Sequence, residues 1–395
     1  MLTSCKNHNE NYTLSFVTTP LYADSSVDSI SKSISLNEEY FNQSPSNFNK
    51  ELALSSLTLA STAYSYTYAV DNLETMGFEH IAKFNFADNY DENAVGIIIA
   101  SKKFSTTTLI TVLLRGTYKK EWYSNFDIGK DIANTKVHAG FSKACDYALK
   151  KLEMYMVNYG TDRDHCKFLV TGHSRGAAVA NLMGKNLIDS YGPNNVYAYT
   201  FATPNTTIDE NATDNHYAGI FNFINPEDFI SYIPLESWGF KKYGTTIVFP
   251  QNNGSEKYND KLKRVSQYYE ELKGRPLKTF GGTDSQNEFL DKAFELAPTV
   301  KDYYDTKYEI AGLKLSVYEY MCVLAHVLND ENTISNGLIL LGSDGTVFEP
   351  FKNYITSGMD IDNMNFELDY ESSMIGYAHT AETYLSWLMV YIEDI

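Results

Sequence analysis

The chain has 395 residues, enough for one large α/β domain with a sizeable insertion or for two domains. A formal net charge of −18 argues against nucleic acid as a partner and against electrostatic docking on anionic membranes. No stretch approaches the length of a transmembrane helix, residues 1–30 lack the apolar core of a signal peptide, and Cys5, Cys145, Cys166 and Cys322 show no metal-ligand spacing. The expectation is a soluble chain without an integral membrane segment, metal or cofactor, cytoplasmic as the sequence stands and exported if a leader has been removed.

Residues 1–40 are polar and serine-rich, with a single β-like run at Tyr12 to Thr18, and read as an N-terminal arm. After Asn47 a helix carrying Leu52, Leu54, Leu57 and Leu59 opens the main domain, and a second helix ends at Gly77, a C-terminal cap. Strands are expected at Ala94 to Ala100 and Thr108 to Leu114, then a helix over Val137 to Tyr159. Phe168 to Thr171 is a short apolar, β-branched run suited to a buried parallel strand. Ala177 to Ile188 follows as a helix whose small residues Ala177, Ala178 and Ala180 let it lie close to a sheet. Further strands fall at Asn195 to Ala202, Ile220 to Ile224 and Thr245 to Pro250. Beyond them come helices at Tyr258 to Leu272, at Ser285 to Ala297 behind a Ser285/Glu288 capping box, and at Val317 to Leu328, then a hairpin turn at Leu341 to Val347. A last helix follows Thr380.

Gly172-His173-Ser174-Arg175-Gly176 fits G-x-S-x-G, the nucleophile elbow, in which a sharp strand-to-helix turn lifts a serine hydroxyl out of the backbone. The flanking glycines are steric, because the turns on either side pass too close for a side chain. The strand before the motif and the helix after it are what an elbow requires. In an α/β-hydrolase the acid and then the histidine follow the serine along the chain. Three histidines lie well beyond Ser174. His216 stands in a polar run that reads as surface loop. His326 lies on an apolar helix behind a Ser316/Glu319 capping box and reads as a packed histidine. His379, in Gly376-Tyr377-Ala378-His379-Thr380, stands in a glycine-containing loop opening onto the terminal helix and is the better candidate base. For the acid, the Ile220 to Ile224 strand leads through Asn225-Pro226 to Glu227 and Asp228, with Asp228 preferred. The amide of Arg175, at the start of a helix, can meet a developing negative oxygen. The Arg175 side chain reads either as a contact to an acidic substrate group or as a surface salt bridge. His138, ahead of Ala139-Gly140-Phe141, reads as packed or locally hydrogen-bonded.

Leu114-Arg115-Gly116-Thr117 with Trp122 after it, Val137-His138-Ala139-Gly140-Phe141, the elbow, Phe201-Ala202-Thr203-Pro204, Asp228 through Pro234 and His379 stand in the order of one known family. On these segments the chain resembles the class 3 lipases, the fungal-lipase-like branch of the α/β-hydrolases. The resemblance implies an α/β fold with a central, mostly parallel sheet. It also implies an ester hydrolase with Ser174 as nucleophile, Asp228 as orienting acid, His379 as base and Thr117, beside the Arg175 amide, in the oxyanion hole. The implied substrate is a lipid or other acyl ester. The same three residues would serve a phospholipid acyl hydrolase, and a catalytically silent scaffold that binds a partner is the reading from another class. Two departures stand out: Arg175, Gly176 and Ala177 replace the family's leucine and two glycines, and the family's histidine follows its aspartate much more closely. The long interval between Asp228 and His379 is expected to hold a largely helical cap at 252–350, inserted in a hydrolase domain of residues 41–251 and 351–395. That cap is either a lid that meets a lipid interface or a fixed cover.

Overall fold

A computed structural model of the chain describes residues 11–19, 28–86, 91, 93–118, 121–277, 284–310, 313–322 and 378–395. Seven strands form its central sheet: β3 (Glu79–Phe84), β4 (Ile97–Lys103), β5 (Thr108–Leu114), β6 (Cys166–His173), β7 (Val196–Phe201), β8 (Ile220–Ile224) and β9 (Thr245–Val248), side by side in sequence order. The β3–β4 and β4–β5 pairs are antiparallel, and β5 through β9 run parallel. A hairpin of β1 (Asn11–Val17) and β2 (Ser29–Ser35) stands apart from this sheet.

The sheet is covered on both faces, which explains why its middle strands read as unbroken apolar runs. Ile110, Val112 and Leu114 of β5 with Phe168 and Val170 of β6 face one core, shared with α5 (Ala139–Asn158) and α6 (Arg175–Tyr191). Leu109, Leu113 and Leu169 face the other, shared with α1 (Lys50–Thr62) and the terminal helix α10 (Ala381–Glu393). Alternate residues of one strand thus seal two layers, and every crossover between parallel strands returns the chain to the same end of the sheet. The carboxyl ends of β5, β6 and β8 lie along that end. Loops there carry Thr117, Ser174 and Asp228, where ligands bind open parallel sheets. The mostly parallel sheet, with helices on both faces and the elbow after β6, is the α/β-hydrolase fold.

Several elements differ from the sequence expectations. Residues 11–17 and 29–35 do not trail as part of an arm: Leu14, Phe16 and Ile34 are buried against the α1 side of the core. Polar groups on α1 complete the attachment, with the Val17 amide donating to Ser61 Oγ at 3.0 Å and Ser55 Oγ donating to the Ser35 carbonyl at 2.9 Å. Strand β3 was not expected because an edge strand needs little apolar surface. Helix α7 (Glu256–Lys273), the first helix of the expected cap, packs along α10, with Tyr258 and Val265 buried in the main core. After α8 (Asp284–Leu296), α9 (Val300–Asp305) places Tyr303 and Tyr304 over Ile128, Ile132 and Phe240, and Tyr303 donates to the Phe126 carbonyl at 3.0 Å. Residues 317–322 are helical as expected, and the Ser316/Glu319 box closes reciprocally at 2.7 and 3.2 Å. The hairpin turn at 341–347 and His326 lie outside the described residues. No described helix is long and apolar enough to cross a membrane.

Candidate active site

Ser174 sits between β6 and α6 at φ 60° and ψ −129°, a backbone conformation that L residues rarely adopt. The turn is fixed by its neighbours. The Ser174 amide donates to the Phe201 carbonyl of β7 at 3.0 Å, and a Cβ on Gly172 would run into the backbone of Gly176. A Cβ on Gly176 would in turn meet the carbonyls of Leu114 and Arg115, so the first turn of α6 lies hard against the end of β5. Strain at one residue is thereby held by contacts that only glycine permits, and the half-buried serine is presented at the helix N-terminus.

His379 and Asp228 reach this serine from the two other places the sequence singled out. His379 Nε2 lies 2.8 Å from Ser174 Oγ, and its Nδ1 lies 3.0 and 2.9 Å from the two carboxylate oxygens of Asp228. Asp228 is fully buried at its side chain, whereas His379 keeps 12% exposure. The carboxylate is saturated with donors: the Ile230 amide at 3.1 Å, Ser231 Oγ at 3.0 Å and the Tyr384 hydroxyl at 2.7 Å. Burial, together with the charge of Asp228, holds the Tyr384 phenol well above its ordinary pKa, so it stays a donor. Glu227, the alternative acid, is not the carboxylate that His379 meets. His216 is remote in role, bonded to Asp189.

The loop bearing His379 is anchored by its carbonyls. Asn225 Nδ2 donates to the Ala378 carbonyl at 2.9 Å, and His173 Nε2 donates to the His379 carbonyl at 2.8 Å. His173 Nδ1 lies 2.9 Å from the Tyr64 hydroxyl, which donates to it. Burial lowers the His173 pKa to about 3, so its ring is neutral and makes one donation and one acceptance. Sequence reasoning did not find Tyr64, His173, Asn225, Ser231 or Tyr384. Only His173 carries a local signal, since it fills the variable position of the elbow at the end of a buried strand.

Thr117 follows the carboxyl end of β5, half-buried, with its Oγ1 accepting from Asn125 Nδ2 at 2.9 Å. The Arg175 amide belongs to the first turn of α6, where backbone donors have no partner within the helix. The Arg175 side chain overturns both readings made for it, because it is only 1% exposed and reaches neither solvent nor the serine. It turns inward to donate to Asn125 Oδ1 at 2.6 Å, the Ala94 carbonyl at 2.9 Å and Ser124 Oγ at 3.2 Å. Glu121 lies 3.7 Å from Arg175 Nε and accepts from Arg115 at 3.0 Å. Burial pushes the Glu121 carboxyl pKa up, and the two guanidiniums pull it back. His138 is fully buried, accepts from the Phe141 amide at 3.3 Å, and lies 3.2 Å from the Asn125 carbonyl. Burial takes its pKa down to about 3.

The chain has an α/β-hydrolase fold, and its elbow serine stands in hydrogen-bonded line with a histidine and a buried aspartate. Residues 110–238 match the family model described as Lipase (class 3). A secreted mono- and diacylglycerol lipase of Fusarium solani is 32% identical over 95 residues, covering 23% of this chain and 28% of that protein. The match therefore spans under a third of the relative. Among solved structures, the Rhizomucor miehei lipase in its propeptide complex is similar at a TM-score of 0.38 and 18% identity, over 54% of this chain and 70% of that one. Lip2 lipase from Yarrowia lipolytica gives a TM-score of 0.34 and 19% identity, over 55% of this chain and 80% of that one.

Proposed function

We propose that this chain is a serine carboxylic-ester hydrolase of lipid acyl esters, with Ser174 as nucleophile, His379 as general base and acid, and Asp228 as orienting carboxylate. The observation that carries this reading is the continuous line from Ser174 Oγ through both ring nitrogens of His379 to Asp228. Asp228 accepts from Nδ1, which leaves Nε2 as the ring nitrogen able to take the serine proton. Ser174 Oγ attacks the ester carbonyl carbon as His379 Nε2 takes its proton. The negative oxygen that forms meets the Arg175 amide and Thr117 at the N-terminal end of α6. His379 then gives the proton to the alcohol oxygen as the ester C–O bond breaks. Water, deprotonated by the same nitrogen, releases the acid from Ser174.

A lipid acyl ester is the substrate class favoured by the class 3 lipase segment and by a relative named for mono- and diacylglycerols. The division into a hydrolase domain of residues 41–251 and 351–395 with an inserted cap belongs to the same proposal, as does contact of that cap with a lipid interface. A fluorophosphonate probe should label the protein stoichiometrically at Ser174, and Ser174→Ala should abolish labelling and lower kcat on the order of 10⁴-fold or more while the fold persists. Ester hydrolysis retained by pure Ser174→Ala would refute the assignment, and an unlabelled, inactive wild type would mark a silent scaffold. A panel of phospholipid and acylglycerol esters then separates the two lipid classes.

A further inference from the structure

Helix α10 begins two residues after His379, and the first amides of a helix have no partner within it. Thr380 caps the helix from its own end, accepting from the Thr383 amide at 3.4 Å. The amide of Ala381, a residue with no exposure, is met from the far end of the chain: it donates to Thr19 Oγ1 at 2.8 Å. The Thr19 amide bonds to the next residue in turn, donating to Glu382 Oε2 at 3.1 Å. Glu382 Oε1 accepts from Lys273 Nζ, at the end of α7, at 3.2 Å, in a pair largely shielded from solvent. A buried carboxylate in the first turn of a helix suits the partial positive charge there, and here both of its oxygens are used. Two separate elements thus close on the first two residues of α10.

Thr19 is itself held in place by the hairpin that precedes it. Phe16 and Val17 are fully buried, and the Val17 amide donates to Ser61 Oγ of α1 at 3.0 Å. Ser15 exchanges two bonds with the side chain of Asn72 on α2 (Tyr66–Thr75), at 2.9 and 2.7 Å. Thr18 joins the two strands at the same end, its amide donating to the Asp28 carbonyl at 2.9 Å and its hydroxyl accepting from the Asp28 amide at 3.2 Å. On the other side of His379, Asn225 and His173 hold the carbonyls of Ala378 and His379. The stretch from Ala378 to Ala381 is therefore gripped at both ends, by the elbow and acid loop on one side and by the N-terminal hairpin on the other.

We propose that Thr19, backed by Glu382, is a positioning residue for the catalytic base, through which the docked N-terminal hairpin holds His379 at the Ser174 hydroxyl. The inference rests on the ester-hydrolase reading above. His379 Nε2 must stay within hydrogen-bond reach of Ser174 Oγ while Nδ1 keeps Asp228. A buried amide that loses its acceptor is costly to leave unpaired, so without the Thr19 hydroxyl the first turn of α10 shifts toward another acceptor. That shift carries His379, two residues back, with it. A misplacement of about 1 Å at a reacting group is enough to cost about 10²-fold in rate, so even a partial one is measurable. The polar N-terminal segment is thereby tied to catalysis and not to stability alone.

The test uses the full-length protein, a soluble ester and a fluorophosphonate, at a temperature well below the Tm of every variant. Thr19→Val removes the acceptor at nearly constant shape. It should lower kcat and the rate constant for Ser174 phosphonylation alike, by about 10-fold, with KM changed less than about twofold. Thr19→Ser restores the hydroxyl and should recover most of both losses. Ser55→Ala cuts the bond to the Ser35 carbonyl at the opposite end of the same hairpin, so it should lower Tm and leave kcat within about twofold of wild type. If Thr19→Val does not fold, Thr19→Ala against Thr19→Ser gives the same comparison. A Thr19 variant without the hydroxyl whose kcat stays within about twofold of wild type, or a loss of kcat that Ser55→Ala matches for the same fall in Tm, would overturn the proposal. Wild type that neither hydrolyses esters nor reacts with the fluorophosphonate would instead sink the underlying reading, so the two failures are distinct.

Discussion

Asp228 shows how much of a site can be built from groups that never touch a substrate. Its carboxylate meets His379 with both oxygens and still accepts from Ile230, Ser231 and Tyr384. A buried charge is tolerated only when its lone pairs are used in this way. The Tyr384 hydroxyl is central, since it accepts from the Asn225 amide at 3.0 Å while donating to Asp228. Removing it leaves the carboxylate short of its closest hydroxyl donor and loosens its hold on the imidazole. Tyr384→Phe should therefore lower kcat about 10-fold with a native circular dichroism spectrum, in keeping with about 1.5–3 kcal/mol for a hydrogen bond to a charged group. A rate equal to wild type would show that Ser231 and Ile230 alone orient the aspartate.

At the scale of elements, the strand-turn-helix unit of β6 and α6 depends on two close approaches of backbone to backbone. Gly176 abuts the carbonyls of Leu114 and Arg115, whereas Gly184, two turns along the same helix, faces only the side chains of Ala198 and Ile220 at 3.2 and 3.3 Å. A methyl group at Gly184 can be accommodated by small side-chain shifts, but one at Gly176 must push the helix off the sheet. Gly176→Ala should thus cost at least about 3 kcal/mol, read as a fall in denaturation midpoint or loss of soluble protein, and Gly184→Ala much less. Equal costs would mean that the elbow is not held by that contact. The same closeness explains the inward turn of Arg175. With its helix pressed on β5, the side chain has Glu121, Ser124 and Asn125 within reach and no path to water.

For the whole molecule, the two buried histidines make stability depend on pH. His138 and His173 ordinarily titrate near 6.5, and burial lowers both to about 3 in the folded chain. Between those values the unfolded chain binds protons that the folded chain refuses, so stability is fully present above about pH 6.5 and is lost as pH falls toward 3. At pH 5 each histidine should already have cost ~2 kcal/mol relative to neutral pH. Thermal melts should show Tm falling between pH 7 and pH 5, and His173→Phe, whatever it does to Tm at pH 7, should make that fall shallower. An unchanged slope would place the acid sensitivity elsewhere.

The sequence by itself determined the elements whose signal is local. The elbow announces its strand, serine and helix because strain, glycines and flanking apolar runs must all fall within a few residues. Asp228 and His379 could be singled out for related reasons: each follows a readable turn or loop at the border of a regular element. The polar strands β2 and β3 escaped because hairpin and edge strands bury too little apolar surface to show a pattern. What only the tertiary structure decided is the set of groups that act through others. Tyr64, His173, the pair Asn225 and Ser231, and Tyr384 come from four separate stretches of chain, and no local pattern connects those stretches. Asp228 and His379 are themselves 151 residues apart. The outward reading of Arg175 failed for the same reason: nothing in the neighbouring residues tells that a helix N-terminus will be pressed against a strand, with a carboxylate, a serine and an asparagine gathered beneath it. Hydrogen-bond partners of buried polar groups are fixed by which surfaces meet, and that is set by the packing of the whole core.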